Sequence, residues 1–147
     1  MKFAELAAGR RITLGPRPVD QAEVLAFAEK YDQQWFHTDA AAAADGPFQG
    51  LIASGWHTCA MAMSLVAGEV LRGSESYASP GLAYVRWPNP VRPGDELTLT
   101  LEVLEQRVSE TRPWLGIVRW QWVMTRQGGA AVLELEATSL FRLAEKP

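Results

Sequence analysis

Two residues of this 147-residue chain have the types and spacing to move a proton together: Asp32 and His37. They bracket the segment Asp32-Gln33-Gln34-Trp35-Phe36-His37, which has no clear hydrophobic period and predicts a turn or loop. A carboxylate and an imidazole facing one water can activate it and return a proton elsewhere. Trp35 and Phe36, between them, would supply low-dielectric walls. Plainer roles fit the same two residues. Asp32 could end a turn, and His37 could be a hydrogen-bonded loop histidine.

A second element is Pro47-Phe48-Gln49-Gly50. Proline suits the first turn of a helix, where its missing N–H would have no partner. A helix starting here leaves the Gln49 and Gly50 amides without an intrahelical acceptor, at the positive end of the helix dipole. Such amides can stabilise an oxyanion, worth about 3–4 kcal/mol per donor, and Gly50 permits close approach of a ligand. The alternative is a plain helix start whose donors meet water. An acid–base pair and an oxyanion hole are together what is needed to add water across a double bond conjugated to a carbonyl.

The elements that must hold these groups can be read from periodicity. Asp20-Gln21-Ala22-Glu23 has the pattern of an N-cap, and Val24, Leu25, Ala28 and Tyr31 recur at helical spacing, predicting a helix over Gln21–Tyr31. Asp39 can cap a short helix over Ala40–Ala44. The stretch from Gly46 to Gly68 carries no Asp, Glu, Lys or Arg. A helix from Pro47 or Phe48 to about Leu71 would measure roughly 36 Å. Its length would allow a membrane span. Its Gln49, Ser54, His57, Thr58 and Ser64, with Gly50 and Gly55, favour burial inside a fold instead. Gly55 would sit inside that helix, a cost of about 1 kcal/mol unless something packs closely on it.

After Gly73 the period becomes two. Leu82, Tyr84 and Arg86 alternate with Ala83, Val85 and Trp87. Leu97, Leu99, Leu101 and Val103 then alternate with polar residues, followed by Val118, Trp120, Trp122 and Met124, then Leu133, Leu135 and Ala137. Gln127-Gly128-Gly129 marks a hairpin between the last two, so three long antiparallel strands are expected. Trp120 and Trp122 share a strand face and read as core or dimer packing. A helix apolar on all sides can hide its surface only if a sheet curls around it. One small sheet covers about half of it, and a second copy is the natural cover for the rest. The expectation is a single α+β domain over residues 1–147, a bent antiparallel sheet wrapped on a long central α-helix, assembled as a homodimer or dimer of dimers.

Composition narrows the function. The net charge of −3 disfavours a nucleic-acid binder, which needs a local excess of Lys and Arg. One cysteine, Cys59, excludes an intramolecular disulfide framework or a Cys-rich zinc site and favours a reducing cytoplasm. His37 and His57 are the only histidines, and neither has metal-ligand spacing to a second ligand. No phosphate-binding glycine loop, nucleophile elbow or signal peptide is evident.

The residues Phe27-Ala28-x-x-Tyr31-Asp32-x-Gln34-x-Phe36-His37-x-Asp39, then Phe48-x-Gly50-Leu51-Ile52-Ala53-Ser54-Gly55-Trp56-His57-Thr58, then Arg86-Trp87-x-x-Pro90-Val91-x-Pro93-Gly94-Asp95, resemble the MaoC-like dehydratase family, which includes R-specific enoyl-CoA hydratases. The similarity runs from about Gly9 to Phe141. It implies the hot-dog fold, which is the wrapped-helix architecture, and hydration or dehydration of a 2-enoyl thioester, usually of coenzyme A. The family's catalytic pair falls on Asp32 and His37, and the backbone N–H of Gln49, with Gly50, would receive the thioester oxygen. Trp35, Phe36, Ser54 and His57 are the candidate pocket residues, and Arg72, Arg86 and Arg92 the candidates for the coenzyme A phosphates. No metal or redox cofactor is implied, and no nucleic-acid or membrane partner. Four positions differ from residues common in the family's hydratases: Gln34, Trp35, Gln49 and His57. A hot-dog thioesterase, or a dimer that binds acyl thioesters without turnover, are the other readings.

Overall fold

The computed structural model describes residues 1–143. After a single 3-10 turn at Phe3–Glu5, the chain forms β1 (Arg11–Pro18), α1 (Gln21–Tyr31), α2 (Trp35–Thr38), α3 (Ala40–Ala44) and α4 (Gly55–Leu65). A π-helical continuation over Val66–Leu71 extends α4, and β2 (Ser76–Arg86), β3 (Glu96–Val108), β4 (Leu115–Thr125) and β5 (Ala131–Arg142) follow. All pairings are antiparallel, in the order β1-β3-β4-β5-β2.

The alternation read in the sequence is the sheet's two faces. Leu97, Leu99, Leu101 and Val103 are at most 1% exposed, while Thr98, Thr100 and Glu102 between them are only partly covered. Burying each such side chain is worth about 1.5–3 kcal/mol, so β3 alone fastens the sheet firmly onto the helix. From β4, Trp120 and Trp122 enter the core edge to face, centroids 5.6 Å apart. Trp120 donates its indole N–H to Ser139, so the ring's one polar atom is satisfied. Met61, Ala62, Val66 and Val70 of the helix meet this face. Gly128 and Gly129, with φ of 86° and 91°, turn β4 into β5.

The structure departs from the sequence reading at three places. β1 was not signalled, because only Leu14 of its residues is buried and Gly15, Pro16 and Pro18 interrupt any period. The segment after Asp32 holds one helical turn, α2, rather than a plain loop. The central helix starts at Gly55, not at Pro47. Gln49 and Gly50 take φ of 54° and 149°, which no helix accommodates. The amides of Ile52 and Ala53 are spent on the carbonyls of Phe36 and Val91.

Candidate active site

Asp32 follows the last residue of α1, its N–H closing the helix on Ala28 O. One carboxylate oxygen, Oδ2, accepts the Ser54 hydroxyl at 2.7 Å. The other, Oδ1, accepts the Gln34 side-chain amide at 2.7 Å. The Ser54 hydrogen bond, with that from Gln34 and the charge interaction with His37, outweighs desolvation and holds the carboxyl below its ordinary value. Ser54 is the N-cap of α4, yet its hydroxyl makes no cap bond. It is spent on Asp32 instead.

His37 rides on α2 and is buried. Its Nδ1 lies 2.8 Å from Ile52 O. A carbonyl only accepts, so Nδ1 carries a proton, and in the neutral tautomer the lone pair is at Nε2. That Nε2 lies 3.3 Å from Asp32 Oδ2. At that separation the two atoms stand side by side, close enough to share one proton or to accept together from a water standing in front of both. Phe36 packs edge-on against the imidazole, centroids 4.3 Å apart, and walls off one side.

Both side chains open into a cavity of about 320 Å³, whose lining includes Phe48, Gly55, Trp87 and Val132. The N-terminus of α4 borders it. Thr58 N–H is the amide that bonds back to the Ser54 carbonyl, so those of Gly55, Trp56 and His57 precede any intrahelical acceptor. Gly55 has its close neighbour: a Cβ there would sit 2.7 Å from the Trp87 ring, and Trp87 Nε1 donates to Gly55 O at 2.9 Å.

The other sequence candidates separate. The amides of Gln49 and Gly50 are taken by Gly46 O and Ala43 O, at 3.0 and 2.9 Å, and so are not free donors. Trp35 lies over Gly46 and does not line the cavity. His57 points to another face of α4, where its Nε2 meets Glu23 Oε1 at 3.1 Å and its ring stacks on Phe27. Arg72 follows the π-helical segment, at the far end of the helix from Gly55. Arg92 donates to Phe48 O at 2.6 Å, beside the cavity. Arg86 lies over the Tyr84 ring at 4.5 Å, next in sequence to the cavity wall Trp87. The sequence reading missed the amides at Gly55 and Trp56. The signal for them was Ser54, a preferred N-cap residue at the head of the apolar helical run.

The ionised Asp32 is tied to Ser54 in the folded state, so its folded midpoint lies below the unfolded value of about 3.9. The stability it contributes is full above that value and is lost as the pH falls through the folded midpoint. In urea unfolding, the difference between wild type and Asp32→Asn is expected to hold constant from pH 7 to 5 and to close below about pH 4. A difference that does not change with pH would contradict the assignment.

A five-stranded antiparallel sheet curled on one helix, with a carboxylate–imidazole pair at that helix's N-terminus, defines a hot-dog α+β domain. The chain belongs to the MaoC-like dehydratase family: the family model described as "MaoC like domain" matches residues 3–117. A MaoC-like dehydratase from Rhodospirillum rubrum is 36% identical, superposes with a TM-score of 0.87 and is matched over 97% of each chain. The (R)-hydratase from A. caviae involved in PHA biosynthesis is 30% identical with a TM-score of 0.70, covering 90% of this chain and 94% of that one. YdeM of Bacillus subtilis, an uncharacterized protein, is 30% identical over 142 residues, 97% of this chain and 99% of its own. Among the described residues no helix is long and apolar enough to cross a membrane.

Proposed function

We propose that the protein hydrates a 2-enoyl thioester to the 3-hydroxyacyl thioester, and runs the reverse dehydration, with Asp32 and His37 as the catalytic pair. The observation that carries this reading is the 3.3 Å approach of His37 Nε2 to Asp32 Oδ2 beside a cavity bordered by the first turn of α4. A water held by the two groups from the cavity side gives its oxygen to the β-carbon. One of its protons passes to the pair, the electron pair of the double bond moves through the α-carbon to the thioester oxygen as an enolate, and the pair returns a proton to the α-carbon. The developing oxyanion takes hydrogen bonds from the Gly55 amide and its neighbour Trp56, aided by the helix dipole. The apolar lining from Trp87, Val91 and Val132 receives the acyl chain. Arg92, with Arg86, is placed to meet the phosphates of coenzyme A at the mouth, while Arg72 is too far along the helix for that part.

The working form in this proposal is a homodimer, or a dimer of dimers, in the cytoplasm. Support comes from the bare edge of β2, exposed along most of its length, and from Trp56 and Met63 on α4, 61% and 43% exposed. An unpaired edge strand and exposed large apolar side chains invite pairing with a second copy. Light scattering is expected to give at least twice the chain mass of 16.2 kDa; a monomer at micromolar concentration would refute the assembly.

The reaction is tested by incubating the protein with crotonyl-CoA. Loss of the enone absorbance without release of free thiol is the expected result. Thiol release without hydration would select a thioesterase, and tight binding without turnover a carrier.

A further inference from the structure

The proposed chemistry leaves one charged cluster at the edge of the core unused. Arg17 of β1, Glu23 of α1 and His57 of α4 meet at a single carboxylate oxygen: Arg17 Nη2 lies 2.7 Å and His57 Nε2 3.1 Å from Glu23 Oε1. The His57 ring is 2% exposed and stacks flat on Phe27, centroids 4.7 Å apart and planes 10° from parallel. The cluster borders a second cavity of about 360 Å³, on a different face of α4 from Asp32.

Its cost is visible. His57 Nδ1 and Arg17 Nη1 are enclosed with no hydrogen-bond partner among the described residues. Unpartnered buried polar atoms oppose folding. A leucine at position 57 would cover the same surface without that cost. What leucine could not do is hold Glu23.

The cluster's place in the fold gives that hold a purpose. Asp32 is carried at the end of α1, which buries only Val24 and Ala28 and so is lightly anchored by its own apolar face. Ser54 and Gly55 are carried at the start of α4, one helical turn before His57. The 2.7 Å bond between Ser54 and Asp32 therefore depends on how α1 lies against α4. Beside Phe27 on the His57 ring, Glu23 makes a polar side-chain contact from α1 to α4, and Arg17 ties it to the sheet.

We propose that Glu23 is a positioning residue that, through Arg17 and His57, sets α1 against α4 and thereby aligns Asp32 with Ser54 and the first amides of α4. It touches no reacting atom. The inference rests on the hydratase reading for its consequence in catalysis, but its geometric claim stands apart from it.

The test compares full-length wild type with Glu23→Ala and Glu23→Gln, using NMR titration of the Asp32 carboxyl and steady-state hydration of crotonyl-CoA. Glutamine keeps an oxygen that accepts from both Arg17 and His57. Alanine keeps neither contact. In Glu23→Ala the Asp32 midpoint is expected to rise by about half to one unit as the Ser54 bond slackens. The sign is diagnostic, because deleting a negative charge acting only through space would move the midpoint down. The kcat is expected to fall about tenfold with KM little changed, and Glu23→Gln to stay near wild type in both. A midpoint in Glu23→Ala equal to or below that of wild type overturns the inference. If Glu23→Ala does not fold, Glu23→Met carries the test under the same criteria, since it keeps the side-chain length, deletes the negative charge and ends both contacts. If the wild type hydrates no enoyl thioester, the hydratase reading fails and the titration still decides this inference.

Discussion

Asp32→Asn is expected to cut the kcat for enoyl thioester hydration by about 10²–10⁴-fold, the usual worth of a positioned acid–base group, and His37→Ala to do the same. The substitution at Asp32 is nearly isosteric, so the loss would be chemical. Asparagine cannot take a proton from water. Its amide would also donate directly to His37 Nε2, which in the native site faces Asp32 at 3.3 Å with its lone pair unspent. The two side chains would then be tied to each other rather than to the reacting water. Because the two residues hold one molecule, the double variant should be about as slow as either single variant rather than slower by the product of both effects. Steady-state kinetics on variants that retain wild-type circular dichroism check this. A single variant within about threefold of wild type would remove that residue from the chemistry.

Ser54→Ala is the second large effect. The serine hydroxyl is fully buried and its bond to Asp32 is the largest cause of that carboxyl's lowered pKa. Without it the carboxylate loses its fixed orientation toward His37, and its midpoint should move upward. A fall in kcat of about 10–10²-fold is expected, the scale of misplacing a catalytic group by a fraction of its bond length. Since the hydroxyl makes no cap bond to α4, no loss of helix capping accompanies the change. The stability cost should be that of one hydrogen bond to a charged group, about 1.5–3 kcal/mol. Urea unfolding, carboxyl titration and kinetics on the same variant separate these contributions. A variant less stable but equally active would make Ser54 purely structural.

The parts of this molecule that follow a local rule were legible in its sequence. Helix α1 runs over Gln21–Tyr31 as its apolar spacing requires, with Asp20 at the N-cap position though its side chain makes no cap bond. Asp39 accepts the Ala42 amide at 3.0 Å and caps α3. The alternating runs of β3, β4 and β5 became strands because period-two burial is local information. The Asp32-to-His37 spacing could be read for the same reason: both groups lie within one short connection.

What failed was decided by tertiary contact. The uncharged run from Gly46 looks helical by composition. Its first part is turns and irregular backbone, and the Ile52 and Ala53 amides find partners on Phe36 and Val91, residues distant in sequence or placed by another element. That shift of the helix start moves the free amides from Gln49 and Gly50 to Gly55 and Trp56. His57 is a candidate for the pocket by its place in the motif and a structural, hydrogen-bonded histidine by its place on the helix, and the structure shows the second. A helix gives each residue a direction, and one step from Trp56 turns the side chain to Glu23 and Phe27 instead. Strand β1 was invisible since its pairing with β3 is made by backbone bonds, which leave little mark on residue type.

The account's central claim is that this site adds water to carbon, not to a thioester carbonyl. The most direct measurement is mass spectrometry of the products formed from crotonyl-CoA in ¹⁸O-labelled water. The account predicts intact 3-hydroxybutyryl-CoA carrying one heavy oxygen on its third carbon. Label found instead in a free carboxylate, together with released coenzyme A, would contradict it.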